Sequence, residues 1–397
     1  MILTRLDRYI LKIATVASIV LLIGLTSVIW VTQALREVDL ITGKGQTVLI
    51  FFTVTLLSLP ALIAGIAPVA LFMATLYTLN RLNGDSELIV MNAAGIAPYR
   101  LTKPFIVLTI AVSLLVGWMS LSVMPSGFRA LRDLITTIRA DFVANVVKEG
   151  QFVSLESGVT FHYRERQGDA LVGIFMQDRR DPSQPAIYVA ERGRTADVDG
   201  QNFLMLERGT IQRENKQDTT SIISFDRYAL NLSALSGDAT GGGAGEGSGD
   251  KVIYKPRERT TWSLLNQDRN EHYYKTQEGR FRAELHNRLS APLYPIAFML
   301  IAFAFVGEAR TTRQGRASAI QAAIFIVGAT RIGAYAAWTA SVRSPSAVLL
   351  LYLLPTGAIV LSVALILYGE RLRPVLARLA APLLAPITGL TARLRRA

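Results

Sequence analysis

The sequence predicts an α-helical membrane protein of six transmembrane helices, three and then three, with an all-β, jelly-roll-like domain inserted between the trios. Three observations carry this. Of the 397 residues, 51% are hydrophobic and only 18% are charged, against ~25% charged in a soluble globular domain. Six apolar runs approach the length of a span, about 20 residues. From Gly150 the hydrophobic period falls to two, which is the period of strands.

The first group of runs covers residues 10–35, 48–79 and 105–124. The second covers 289–306, 319–341 and 347–368. The first run is longer than a signal-peptide core and ends in no small-x-small cleavage site, so it reads as a retained helix. Pro60 and Pro68 predict a kink or tilt in the second. Orientation follows from the basic residues of the short loops. Arg5, Arg8 and Lys12 precede the first span, and Arg81, Arg100 and Lys103 lie between the second and third. Arg310, Arg313 and Arg316 separate the fourth and fifth, and a basic tail, 371–397, follows the sixth. Six spans place all four segments on one side. That side is expected to be cytoplasmic, with both termini inside and the inserted domain in the periplasm of a bacterium. The net charge of +12 therefore reads as membrane anchoring, not as nucleic-acid binding.

The expected division is 1–125 for the first trio, 126–288 for the β domain, 289–370 for the second trio and 371–397 for the tail. Residues 127–149 read as a polar continuation of the third helix. Strands are expected at 151–155, 159–164, 170–177, 186–191, 194–198, 203–207, 210–214 and 221–226, punctuated by Gly, Asp and Asn. Such short strands predict a two-sheet sandwich or a jelly roll. Residues 236–250 are a Gly-rich, flexible low-complexity tract.

The turn-back 80–104 is the most structured of the loops. Asp85 or Ser86 can cap a short helix with Glu87 in its first turn, and Gly95 and Pro98 end it. Leu88, Met91 and Ala94/Gly95 share one face. Two readings stand: a coupling helix, at about 85–96, that seats in a groove on a cytoplasmic partner, or a re-entry loop that touches nothing.

Catalytic constellations are missing from the sequence. It has no Cys, and its three His (His162, His272, His286) lack metal-ligand spacing. No Gly-x-Ser-x-Gly, His-Glu-x-x-His or P-loop pattern occurs. The chain is expected to be neither an enzyme nor a cofactor protein, so any work it does draws on a partner or a gradient. The informative charges lie at the membrane. Arg331 falls inside the fifth span, ~20 Å from its inner end at about 1.5 Å per residue. An Arg there costs a few kcal/mol unless satisfied. It either faces a bundle cavity and an anionic headgroup or snorkels to the interface. Arg36 and Lys44 follow the first span, and Arg282, Glu284 and Arg288 precede the fourth. They either ring a cavity that takes up a phosphorylated lipid or anchor the helices at the interface.

Four stretches carry a resemblance. They are Glu87–Gly95 with its Val-Met-x-Ala-x-Gly core, Gly150-Gln151-Phe152, Arg282-Ala283-Glu284-Leu285-His286-Asn287-Arg288-Leu289 and Arg313-Gln314-Gly315-Arg316. With the 3+β+3 order, the chain resembles the lipopolysaccharide export permease family, LptF/LptG type, and the last two stretches look more like LptF. The resemblance implies a non-catalytic permease paired with an LptG-type paralogue on an LptB-type cytoplasmic ATPase dimer. It implies that lipopolysaccharide passes from the outer leaflet into the β domain and on to an LptC-type periplasmic bridge. It also implies that Glu87, Leu88, Met91, Ala94 and Gly95 form the coupling helix. Arg36 matches the family's basic residue at the outer end of the first span only approximately. Arg331 matches nothing in the pattern, and 236–250 departs from it. The alternative is a membrane-anchored periplasmic scaffold or sensor without transport.

Overall fold

The computed structural model describes residues 4–36, 48–95, 98–145, 149–156, 158–168, 170–179, 185–198, 201–214, 220–231, 254–267, 271–307 and 313–368. Lys44, the Gly-rich tract 236–250, Arg310 and the basic tail 371–397 lie outside the described residues. Five described helices are long and apolar enough to cross a membrane, and a bent pair makes a sixth candidate.

Helix α1 is Arg5–Arg36. The second apolar run is two helices, α2 (Val48–Leu57) and α3 (Leu59–Gly84), broken at Ser58. The break stands where Pro60 predicts it. Thr55, whose carbonyl sits at the break, accepts there from Ser58 Oγ (2.7 Å) and from Trp30 Nε1 of α1 (3.2 Å). A short helix α4 (Glu87–Ala93) follows. Helix α5 (Thr102–Trp118) then runs through a π-helical stretch, Met119–Val123, into α6 (Met124–Asn145). The third helix therefore continues well past the apolar run, as its amphipathic tail suggests.

The return is made by α7 (Thr261–Leu265) and α8 (His272–Ser290), the latter kinked at Gln277. Helix α9 (Leu293–Val306) meets α8 at a 49° bend. The run expected at 289–306 is α9 together with the last residues of α8, and the bent pair makes one span candidate. Pro292 and Pro295 explain the bend, because a proline ring removes a donor and clashes with the preceding turn. Helices α10 (Arg313–Arg343) and α11 (Pro345–Tyr368) complete the bundle. Its core gathers residues from both trios, among them Leu71, Phe72, Leu79, Phe105, Phe298, Phe303 and Ala323. Glycine decides one contact: a Cβ on Gly279 of α8 would sit 1.9 Å from the Val342 carbonyl in the last turn of α10.

The inserted domain is one antiparallel sheet in the order β1-β2-β4-β5-β6-β7, with β3 on β4. The strands are β1 (Val153–Glu156), β2 (Val159–His162), β3 (Glu165–Gln167), β4 (Ala170–Asp178), β5 (Ala186–Val198), β6 (Gln201–Glu214) and β7 (Thr220–Asn231). The separate sheets of a sandwich are replaced by a crease. Flanking register pairs put Gly173 opposite Glu191, Glu191 opposite Arg208 and Arg208 opposite Asp226. Gly173 (φ 68°) and Arg208 (φ 50°) are left-handed there. Across this row the strands swap the parity of their buried side chains. On β6, Leu204 and Leu206 lie to one side of it and Ile211 to the other; on β4, Leu171 lies to one side and Ile174 and Met176 to the other. A half-turn of each strand at the row lets both halves of one sheet bury the same core. The four strands expected at 186–191, 194–198, 203–207 and 210–214 are therefore two long ones. Gly193 and Gly209, which fall in the gaps between those expected strands, flank the crease.

The crease makes a prediction. Gly173→Val should destabilise the β domain by about 2–4 kcal/mol, because a β-branched residue resists positive φ and a Cβ there meets Arg164 at 2.9 Å. Arg208→Gly should cost no more than about 1 kcal/mol, since glycine adopts that backbone freely and only an exposed ion pair with Glu191 (3.0 Å) is lost. Thermal melts of the detergent-solubilised chain, followed by circular dichroism in the β region, check both.

Candidate functional site

A cavity of about 600 Å³ opens in the bundle near the β domain. It is walled by Ala61, Gly65 and Pro68 of α3, Ser120 of the π stretch, Asn287 of α8 and Tyr294 of α9, and by the Arg331, Tyr335 and Trp338 stripe of α10. Three-, four- and seven-residue spacing puts that stripe on one helix face. The small residues of α3 leave the space open: a Cβ on Gly65 would lie 3.7 Å from Arg331 Nη2. Two cations face in, and the lining also includes the Glu284 carboxylate, which Arg288 neutralises. The Arg331 guanidinium lies 5.7 Å from the Tyr294 ring centre and that of Arg257 lies 5.8 Å from Trp338. Among the described residues neither has a carboxylate partner. An apolar pocket holding two guanidiniums against aromatic faces is built for an anion with an apolar body.

Arg288 sits behind the wall, fully buried. Its Nε donates to Glu284 Oε1 at 2.9 Å. Nη1 donates to the Arg259 carbonyl (2.9 Å) and Thr261 Oγ1 (3.3 Å), and Nη2 to the carbonyls of Pro256 (3.1 Å) and Arg257 (3.0 Å). Every guanidinium nitrogen is engaged. Thr261 Oγ1 in turn donates to the Leu121 carbonyl at 2.6 Å, inside the π stretch. There the hydrogen bond to Met119 comes from Met124, one residue later than in an α-helix. Outside the membrane helices, burial, and next the nearby Arg132, pushes the Lys255 ammonium below its ordinary value. Burial, and then Asp133, pushes the Tyr254 phenol up.

The opposite end of the bundle carries α4. Ser86, before it, takes a left-handed φ of 62°, and Gly95, after it, takes 80°. Leu88 is 0% exposed and Met91 8%; both belong to the bundle core. Val90 is 66% exposed and Ile89 38%. Tyr9 Oη of α1 donates to Glu87 Oε1 at 3.1 Å.

The model of the lipopolysaccharide export system permease LptF/LptG family matches residues 8–369. The chain belongs to this family. It is similar to an uncharacterized protein of Rickettsia prowazekii, with 24% identity over 75% of this chain and 80% of that protein. It is also similar to the lipopolysaccharide export system permease protein LptF of Escherichia coli K12 and of Shigella flexneri. Each is 25% identical over 39% of this chain. The matched stretch spans 43% of those two proteins, less than half their length. As an LptF/LptG permease with several apolar helices, the chain is a multi-pass inner-membrane protein and not a catalytic enzyme.

The permease redistributes the residues that the sequence singles out. Arg331 faces the cavity. Arg36 is exposed at the end of α1 and is not among the lining residues. Arg288 is a correction: buried, with every donor engaged, it offers nothing to a headgroup. Arg282 is half-buried and donates to the Ser341 carbonyl at 3.2 Å, with Glu278 3.9 Å away. Leu88 and Met91 are corrected as well. They anchor α4 inward, and the face it presents outward is Ile89, Val90, Ala93 and Ala94. The helix has 7 residues, shorter than its caps suggest. Arg257, Tyr294 and Trp338 escape sequence reading altogether, because nothing along the chain brings them together.

Leu88→Ala should lower the stability of the solubilised permease by about 2–5 kcal/mol through the cavity it leaves, whereas Val90→Ala should stay within about 0.5 kcal/mol. Arg288→Met should cost about 3–5 kcal/mol, since Glu284 is left charged and buried without its partner. Denaturation in mild detergent measures all three.

Proposed function

We propose that this chain is the LptF-type subunit of an ATP-driven inner-membrane complex. It accepts lipopolysaccharide from the outer leaflet of the inner membrane and passes it through the β domain to a periplasmic bridge. The observation that carries the reading is Arg331, a cation with no carboxylate partner among the described residues, in the cavity of a lipopolysaccharide-export permease. A guanidinium at membrane depth costs a few kcal/mol unless an anion meets it, and the lipid named by the family carries anions on an apolar body. Pockets of about 300–1,000 Å³ hold a drug-sized ligand. At about 600 Å³ this one suits a phosphorylated sugar, with the acyl chains in the surrounding bilayer or against an LptG-type paralogue.

The basic loops support cytoplasmic termini and a periplasmic β domain. The chain has no nucleotide-binding pattern, so an LptB-type ATPase dimer supplies the energy. Its contact is α4, through Ile89, Val90 and Ala94, with Glu87 held in place by Tyr9. The β7 strand ends the described sheet with Ile222 and Ile223 exposed, which suits edge pairing with an LptC-type bridge.

Co-expression with the paralogous permease and the ATPase, followed by affinity purification, tests the reading. Val90→Asp should lose the ATPase while keeping the paralogue. Arg331→Ala should keep both and retain about tenfold less lipopolysaccharide, the worth of one charge-assisted hydrogen bond. A wild-type complex that retains no lipopolysaccharide, or in which the ATPase is absent, contradicts the proposal.

A further inference from the structure

Residues 254–261 carry the chain back from the β domain to α8, and they are tied down on both sides. Toward the third span, Tyr254 Oη donates to Asp133 of α6 at 3.1 Å and Arg129 lies 4.9 Å over the Tyr254 ring. Thr261 grips the Leu121 carbonyl. Toward the fourth span, Arg288 collects the carbonyls of Pro256, Arg257 and Arg259. This strap has no strand ladder, and a carbonyl buried without a donor is costly. One guanidinium supplies three of them. Arg257 stands mid-strap, and of the strap's residues it alone lines the cavity.

We propose that Arg288 is a positioning residue. By gripping the strap's carbonyls it holds the Arg257 guanidinium over the cavity, where Arg257 and Arg331 together clasp an anionic lipid headgroup. This rests on the lipid reading of the cavity. Glu284 neutralises Arg288, and the fork of the guanidinium reaches acceptors that diverge around it. A lysine offers one nitrogen and cannot span them. The arrangement separates two roles that the sequence presents alike: Arg288 never meets the lipid, and Arg257 meets it only while the strap is held.

The full-length chain tests this, because it has no Cys. Leu264, just beyond the strap, is buried, so Leu264→Cys introduces a single shielded thiol. Water-soluble maleimide should label it slowly, and about tenfold faster once Arg288→Lys is added. Glu284→Gln should speed labelling less, since the carbonyl bonds survive. Retention of purified lipopolysaccharide by the detergent-solubilised chain is the second readout. Arg257→Ala and Arg288→Lys should each lower it about five- to tenfold. The double variant should be no worse than Arg288→Lys alone, as expected of one residue acting through another. Additive losses, or an Arg288→Lys chain with normal labelling and retention, overturn the proposal. If Arg288→Lys fails to fold, Glu284→Gln and Arg257→Ala carry the same comparison, and full retention in Arg257→Ala overturns it. Failure of the cavity reading looks different: Arg331→Ala and Arg257→Ala both retain lipid fully while Arg288→Lys still speeds labelling.

Discussion

One buried cation, Arg288, organises the junction between the membrane bundle and the β domain. Its guanidinium is buried, so it survives only because a carboxylate neutralises it and backbone carbonyls fill its remaining donors. Those carbonyls belong to a strap that otherwise has little secondary structure to satisfy them. The dependence is mutual: the strap needs a donor cluster and the cation needs acceptors. Through Thr261 the same network reaches the π stretch of the third span. Two spans that are distant in sequence are thus fixed to each other at the level where the cavity opens.

Breaks in regular structure cluster at that level. The second apolar run breaks at Ser58, the third helix loosens into a π stretch at Met119–Val123, and the fourth bends between Ser290 and Leu293. A straight helix packed on a straight helix leaves no cavity, because side chains interdigitate to crystal-like density. Each break turns a wall aside and frees a polar group. Hydroxyls and an indole then satisfy carbonyls beside two of the breaks, from Ser58 and Trp30 at the first and from Thr261 at the second. Backbone irregularity inside a membrane is tolerated where it is buried in protein or lines a cavity. Here it builds one.

The two ends of the bundle solve different problems. Near the β domain, rigidity is polar, held by the Arg288 network. At α4 it is apolar: Leu88 and Met91 seat a 7-residue helix in the core, and left-handed Ser86 and Gly95 turn the chain into and out of it. A helix this short is marginal alone, so its shape is set by what it packs against. That leaves Ile89, Val90 and Ala94 as an outward face fixed relative to the spans.

The sequence by itself determined the span candidates, the inserted β domain, the interrupted second span and the family, because hydrophobic period and proline chemistry are local signals. It also marked Arg331, since a charge inside an apolar run stands out without any fold. What only the tertiary structure decided was which face or partner each residue meets. Glu87, Leu88 and Met91 share a helix, yet packing alone turns Leu88 and Met91 inward. Arg282 and Arg288 look like interface cations, yet the neighbours that occupy them, Ser341 and residues 256–261, lie tens of residues away in the chain. Strands expected to stop at 191 and 207 run on to 198 and 214, because pairing with neighbouring strands carries them across a crease in one sheet. Periodicity reports how often a chain meets its surroundings, and only folding supplies what those surroundings are.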